Sequence, residues 1–133
     1  MVTPYFPDDE QVFGSLFNPR QKLALITFAD KVRQAHAQML SQGADPDFAR
    51  AVATYLALVV SRMTDFETAL AAWHPQWEFS THIFARQALP MNWDYSELNP
   101  LSPVLTGTWK SMFGQILGAL AHLTAIPLVE EGK

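Results

Sequence analysis

Apolar residues recur at three- and four-residue steps along most of this chain, and no stretch alternates apolar with polar over the length of a strand. The first helical stretch opens at Asn18-Pro19. Asparagine is a good N-cap, and proline suits the first helical position because its missing N–H would lack a partner there anyway. Leu25, Phe28, Ala29, Val32, His36, Met39 and Leu40 then share one face, and Gly43 offers a stop after Gln42. The second stretch opens the same way at Asp45-Pro46. Phe48, Val52, Tyr55, Val59, Met63, Phe66, Leu70 and Trp73 form its stripe. They predict a helix of about seven turns, the spine of the domain, ended by His74-Pro75 because a residue before proline avoids helical angles. The third runs from about Thr108 to Ala125, with Trp109, Met112, Phe113, Ile116, Leu120 and Leu123 on its apolar face.

Between and before these helices the pattern breaks down. Pro4, Pro7, Asp8 and Asp9 make residues 1–17 an irregular arm, which Val12, Phe13, Leu16 and Phe17 can dock. Pro75, Pro90, Pro100 and Pro103 exclude any long element from residues 74–107. A short helix capped by Ser80 is expected within Phe79 to Leu89, then loop over 90–107 with at most one turn near Tyr95 to Leu98. The predicted fold is all-α: a compact bundle of three main helices with a proline-rich irregular connector. It divides into an N-terminal arm (1–17), a helical domain (18–126) and a C-terminal tail (127–133).

Composition narrows the function more than the fold. The 133 residues are 49% hydrophobic and 17% charged, enough to bury a core. A net charge of −4 with no lysine–arginine cluster argues against an autonomous module that grips the phosphate backbone. With Cys at 0 there are no disulfides, thiolate zinc sites or cysteine nucleophiles, and a reducing compartment is compatible. The acidic, proline-bearing start does not read as a signal peptide, and no run of about 18 apolar residues could span a membrane.

No catalytic constellation emerges. Gly-x-Ser-x-Gly, Gly-x-Gly-x-x-Gly and Walker patterns are absent. His36, His74, His82 and His122 are scattered. His36 reads as a core histidine, His74 as a helix-end residue, and a zinc site from His74, Glu78 and His82 is only weakly indicated. Asp94 and Glu97 could pair as carboxylates, but their proline-rich setting favours surface or capping roles. Gly114 and Gly118 lie opposite the apolar stripe of the third helix. Each mid-helix glycine costs about 1 kcal/mol against alanine, so this is either a close-packing face for a partner or simply a tolerated exposed one. The densest polar-aromatic stretch is 84–100. Arg86 could pair there with Asp94 or Glu97, while Trp93 and Tyr95 could stack on a base, fill an interdomain groove or plug the core.

Residues 84–102, Phe-Ala-Arg-Gln-Ala-Leu-Pro-Met-Asn-Trp-Asp-Tyr-Ser-Glu-Leu-Asn-Pro-Leu-Ser, resemble a signature of large bacterial and archaeal adenine-specific DNA methyltransferases whose N-terminal domain has no assigned function. Leu16-Phe17-Asn18-Pro19-Arg20-Gln21 with Leu23-Ala24-Leu25, Ala51 to Asp65 and Trp73-His74-Pro75 are similar to other parts of that family. The resemblance covers the chain from about Phe13 to Trp109. It implies a helical insertion within a longer cytoplasmic enzyme, whose Rossmann-like domain binds S-adenosylmethionine and methylates a flipped adenine. The Asp/Asn-Pro-Pro-Tyr/Phe loop and glycine-rich cofactor turn required for that chemistry are absent here. Asn99-Pro100-Leu101-Ser102 reads as a loop turn, and Pro103-Val104-Leu105 departs from the glycine- and serine-rich family pattern.

The expectation is therefore a non-catalytic scaffold, a fragment or truncated product of such an enzyme. It would hold no cofactor or metal of its own, pack on the rest of the methyltransferase, meet DNA through that parent, and make no membrane contact. Arg86, Gln87, Trp93, Asp94, Tyr95 and Asn99 are its candidate contacts, and Gly114 and Gly118 its packing face. The alternative is a stand-alone helical interaction module. A β-sheet, or a deep pocket where several of the chain's own ionisable side chains converge, would count against the scaffold and reopen the family assignment.

Overall fold

A computed structural model describes residues 13–84, 88 and 92–126. Local signals place each helix start. Helix α1 is Pro19–Ser41, opened by a reciprocal capping box: Gln21 N–H donates to the Asn18 side chain at 2.8 Å, and Asn18 N–H donates to the Gln21 side-chain oxygen at 3.0 Å. Its end is a Schellman turn. Gly43, at φ 83°, donates to the Leu40 carbonyl, and Ala44 N–H reaches the Met39 carbonyl. Helix α2, Pro46–Met63, is capped by Asp45, whose carboxylate accepts from Phe48 N–H at 2.9 Å. Helix α3, Trp109–Ala125, starts from Thr108. No described helix is long and apolar enough to cross a membrane.

The second helix is shorter than its stripe predicts. It stops at Met63, where bonds from Asp65 N–H to Arg62 and from Phe66 N–H to Met63 tighten the last turn. Phe66 and Leu70 are buried, as their spacing suggested, but from an irregular segment rather than a helix face. Polar side chains take over the chain's course here. The Asp65 carboxylate accepts from Ile83 N–H and Phe84 N–H, both at 2.8 Å, and the Thr68 hydroxyl donates to the Leu16 carbonyl at 2.8 Å.

Three further expectations are corrected. Trp73–His74 (β1) and Phe79–Ser80 (β2) form a small antiparallel pair, a minor addition to the helical fold. His74 is thus a strand residue rather than a helix end, stacked on Phe79 with ring centroids 5.5 Å apart. The turn between the strands places Glu78 at φ 50°. Ser80 caps no helix: it is buried, and its hydroxyl bonds to that of Ser96. In the connector, turns lie at 99–102, where Ser102 N–H donates to the Asn99 carbonyl at 3.0 Å, and at 106–107, rather than near 95–98.

The core forms where the helices meet. Val59, Met63, Phe66, Leu98 and Met112 are buried together, with Leu25, Phe28, Trp109 and Phe113 packed against them. Phe28 of α1 stacks on Trp109 of α3 at 5.0 Å between centroids, so all three helices share this core. A second cluster joins Leu16 to Leu70, Ala71 and Ile83, with Phe17 against it. Leu16 and Phe17 thus dock the described end of the arm, whereas Phe13 stays exposed and Val12 lies outside the described residues.

Two glycines test this packing. Gly107 has φ 89°, and a Cβ there would lie 2.6 Å from Phe66 Cγ and 2.9 Å from Leu98 Cδ1. Gly107→Ala is expected to destabilise by about 2–4 kcal/mol through both strain and overpacking. Gly114 has no neighbour within 4 Å of such a Cβ. Gly114→Ala should instead raise stability by about 0.5–1 kcal/mol through helix propensity. Denaturant unfolding of the two variants measures both.

Candidate functional site

Three segments distant in sequence converge beside the first turn of α1. Asn18 Nδ2 donates to the Tyr95 hydroxyl at 3.2 Å and to Glu97 Oε1 at 3.0 Å. Arg20 binds the same carboxylate through two bonds, Nε to Oε1 at 2.9 Å and Nη2 to Oε2 at 2.6 Å. This two-pronged geometry gives the pair orientation as well as charge complementarity, although Arg20 itself is largely exposed. From the third segment, the turn after α2, comes Glu67. It is carried there because its neighbours Thr68 and Ala69 both bind the Leu16 carbonyl.

Between these segments lies an open cavity of about 370 Å³. Arg20, Glu97, Asn99 and Pro100 line its outer part, with Ala24 and Leu98 as apolar walls. Gln21 and Glu67 complete the lining from the interior, each only 1% exposed. Neither of these two is satisfied. Gln21 Nε2 and Glu67 Oε1 are buried with no hydrogen-bond partner. The assignment of the Gln21 amide is fixed, because its oxygen already accepts from Asn18 N–H in the capping box. Burial pushes the Glu67 carboxyl up from the ordinary 4.5 to about 7, and the negative charge of Glu97 adds to the rise. Arg20 does not offset it, since its fork is engaged by Glu97.

Comparison with protein-family models, curated proteins and solved structures found no match. What the site can do is read from its own chemistry. It offers a carboxyl that changes charge near neutral pH and an amide donor without an acceptor, beside an immobilised ion pair. No serine or cysteine lines it, and no group of three or more histidine, aspartate or glutamate side chains suited to a metal occurs among the described residues. His74, Glu78 and His82 therefore form no zinc site. His82 lies 3.7 Å from Asp65 instead.

The predicted contact residues divide. Arg86 and Gln87 lie outside the described residues. Trp93 is fully exposed and Asp94 is exposed, so Trp93 is no plug for the core. Tyr95 joins the site through its hydroxyl. Asn99 lines the cavity, and its side-chain oxygen accepts from Leu101 N–H at 3.1 Å within a turn. Glu97, expected to serve the surface or pair with Arg86, is held by Arg20 and Asn18. Arg20, Gln21 and Glu67 were not singled out by sequence reasoning. The available signal was a cluster of polar residues at 64, 65, 67 and 68, packed among the apolar positions that seemed to continue α2. Arg20, Glu67 and Glu97 line one open cavity.

The Glu67 shift makes stability depend on pH. The folded state keeps the proton up to about 7, whereas the unfolded chain loses it near 4.5. Stabilisation from this group is complete below 4.5 and is lost as pH rises to about 7, a change on the order of 3 kcal/mol. Glu67→Gln should remove this component, leaving the variant more stable than wild type above pH 7, by an amount on the order of 1–3 kcal/mol. Urea unfolding of both proteins across this range provides the check.

Proposed function

We propose that this chain is a non-catalytic helical module of an S-adenosylmethionine-dependent, adenine-specific DNA methyltransferase. It packs on the catalytic domain and helps shape the DNA cleft. The observation carrying this reading is the meeting of Asn18 and Arg20 with Tyr95 and Glu97. The two partners belong to separate stretches that resemble that family, and they are 77 to 79 residues apart in sequence. The contact surface is the connector beside this junction, where Trp93, Leu101 and Val104 are exposed. Exposed apolar side chains within one short connector are typical of a docking surface. Catalytic groups and cofactor come from the parent enzyme, and DNA is met through it.

A second reading, a stand-alone helical interaction module, is favoured by a different face. A Cβ added at Gly114 or Gly118 would meet nothing within 4 Å, and Leu117 between them is exposed. That face of α3 is uncovered by the described part of the chain. Size-exclusion chromatography with and without the methyltransferase catalytic domain separates the readings. Co-elution supports the first, and a complex formed without that domain supports the second.

Trp93→Ala gives the sharper test. The ring contributes nothing to the core, so the melting temperature should stay within about 1–2 °C of wild type. In the full-length enzyme the same change should lower methyl transfer to DNA by about tenfold through lost docking. Wild-type transfer from a folded variant would remove the connector from the functional site.

A further inference from the structure

Helix α2 has two apolar sides, and the fold covers one of them. Ala49, Val59 and Met63 are buried and mark the inward side. Asp47, Arg50, Thr54 and Ser61 make a polar outer side. Between the two run Phe48, Ala51, Tyr55 and Leu58, spaced by three, four and three residues, so they stack along one face. All four are exposed, Phe48 by 61% and Leu58 by 46%. Arg62 ends the stripe one step further on, and no charge interrupts it from Phe48 to Leu58. Helix α1 shows the contrast. Leu23 and Ile26 begin a similar exposed face, but the next two positions along it, Asp30 and Arg33, form an ion pair there. A helix at the surface of a bundle needs one apolar side. A second one at this spacing has the pattern of a seam between paired helices.

We infer that this stripe pairs with the same stripe of a second copy of this chain, the two α2 helices running antiparallel about a twofold axis. Side-chain size decides for a copy. With the axis at Ala53, Phe48 lies beside the partner's Leu58 and Ala51 beside the partner's Tyr55. Both pairs share that midpoint, so one axis satisfies both. The small side chain makes room for the tyrosine, and the stripe is complementary to itself, as a twofold interface requires. Parallel copies would set Tyr55 on Tyr55 and Ala51 on Ala51, crowding beside a void. Charge favours the same direction. The helix opens on Asp45 and Asp47 and closes on Arg62, which is half-exposed even though it also binds Asp65. Antiparallel copies bring each acidic start towards the other's cationic end, whereas parallel copies would set acid beside acid. From Phe48 to Leu58 the seam is about 15 Å long. So short a contact makes a weak, reversible dimer, half formed at about 100 µM. This inference does not rest on the methyltransferase reading.

Sedimentation of the whole chain from about 5 to 500 µM should show monomer passing into dimer. Leu58→Glu should weaken the dimer at least about tenfold, and Ala51→Glu should act alike. Both positions are exposed, so the melting temperature of the dilute variants should stay within about 2 °C of wild type. Disulfide trapping reads the direction, and the absence of cysteine from the natural chain makes it clean. Phe48→Cys and Leu58→Cys chains, mixed and oxidised, should join to each other. Two Phe48→Cys chains would hold their cysteines about 15 Å apart along the seam, too far to bridge. The inference is overturned if the chain remains a monomer at about 500 µM, or if both glutamate variants dimerise like wild type. It is equally overturned if Phe48→Cys chains join each other as readily as they join Leu58→Cys chains. Binding of this stripe to the methyltransferase catalytic domain by a chain that stays monomeric alone would overturn it too.

Discussion

The carbonyl of Leu16 accepts two hydrogen bonds, from the Thr68 hydroxyl and from Ala69 N–H, each at 2.8 Å. These bonds connect positions 52 and 53 residues apart, one just before the first helix and the other just after the second. Leu16 and Thr68 are buried, so breaking the contact would strand polar groups out of reach of water, at about 1–3 kcal/mol for each. The constraint sets the path of the chain beyond α2. A helix continuing past Met63 would carry Thr68 away from Leu16, so the chain must leave the helix and turn back. Once it has done so, Glu67 stands beside the first turn of α1, where it and Gln21 line one cavity.

Asp65 secures the other end of the same turn. Its carboxylate receives two backbone N–H groups from Ile83 and Phe84, and Arg62 reaches its second oxygen at 3.1 Å. Four residues therefore hold three buried polar side chains with different fates: Asp65 and Thr68 are fully engaged, and Glu67 is not. The contrast rules out a generally ill-fitting segment as the reason for the open carboxyl. The fold places donors well on either side of it. The residue left with an unpaired oxygen is the one of the three that also lines the cavity.

How much of this the sequence could reveal depends on the range of the forces involved. The starts of α1 and α2 rest on Asn18-Pro19 and Asp45-Pro46, and the end of α1 on Gly43, all acting within one turn of the chain. These features read correctly, as does α3 from Thr108. The end of α2 did not, because the spacing of Phe66, Leu70 and Trp73 continues a helical period that long-range polar bonds override. The site was half legible. Tyr95 and Asn99 were noticed for their crowded setting. Arg20 and Gln21 looked like ordinary first-turn residues, and Glu67 like a polar position on a helix. Their association depends on Leu16, Asp65 and Ser96 meeting distant backbone groups, which no local spacing encodes.

An unpaired buried carboxyl is a sizeable liability in a domain whose net stability is typically about 5–15 kcal/mol. Its retention here is informative because a remedy lies close at hand. Arg20 lines the same cavity, but both its prongs go to Glu97, an acid that is partly exposed and far less in need of a counter-charge. Pairing Arg20 with Glu67 would relieve the greater desolvation. The fold instead uses its cation to orient the 95–100 segment against Asn18 and leaves the interior acid open. The ion pair and the empty carboxyl are thus two sides of one arrangement. With Arg20 clamping the connector through Glu97, Glu67 has no hydrogen bond to its Oε1. The cavity is therefore lined only once α1, the turn after α2 and the connector are assembled. The site is a property of the folded junction and of none of its three segments alone.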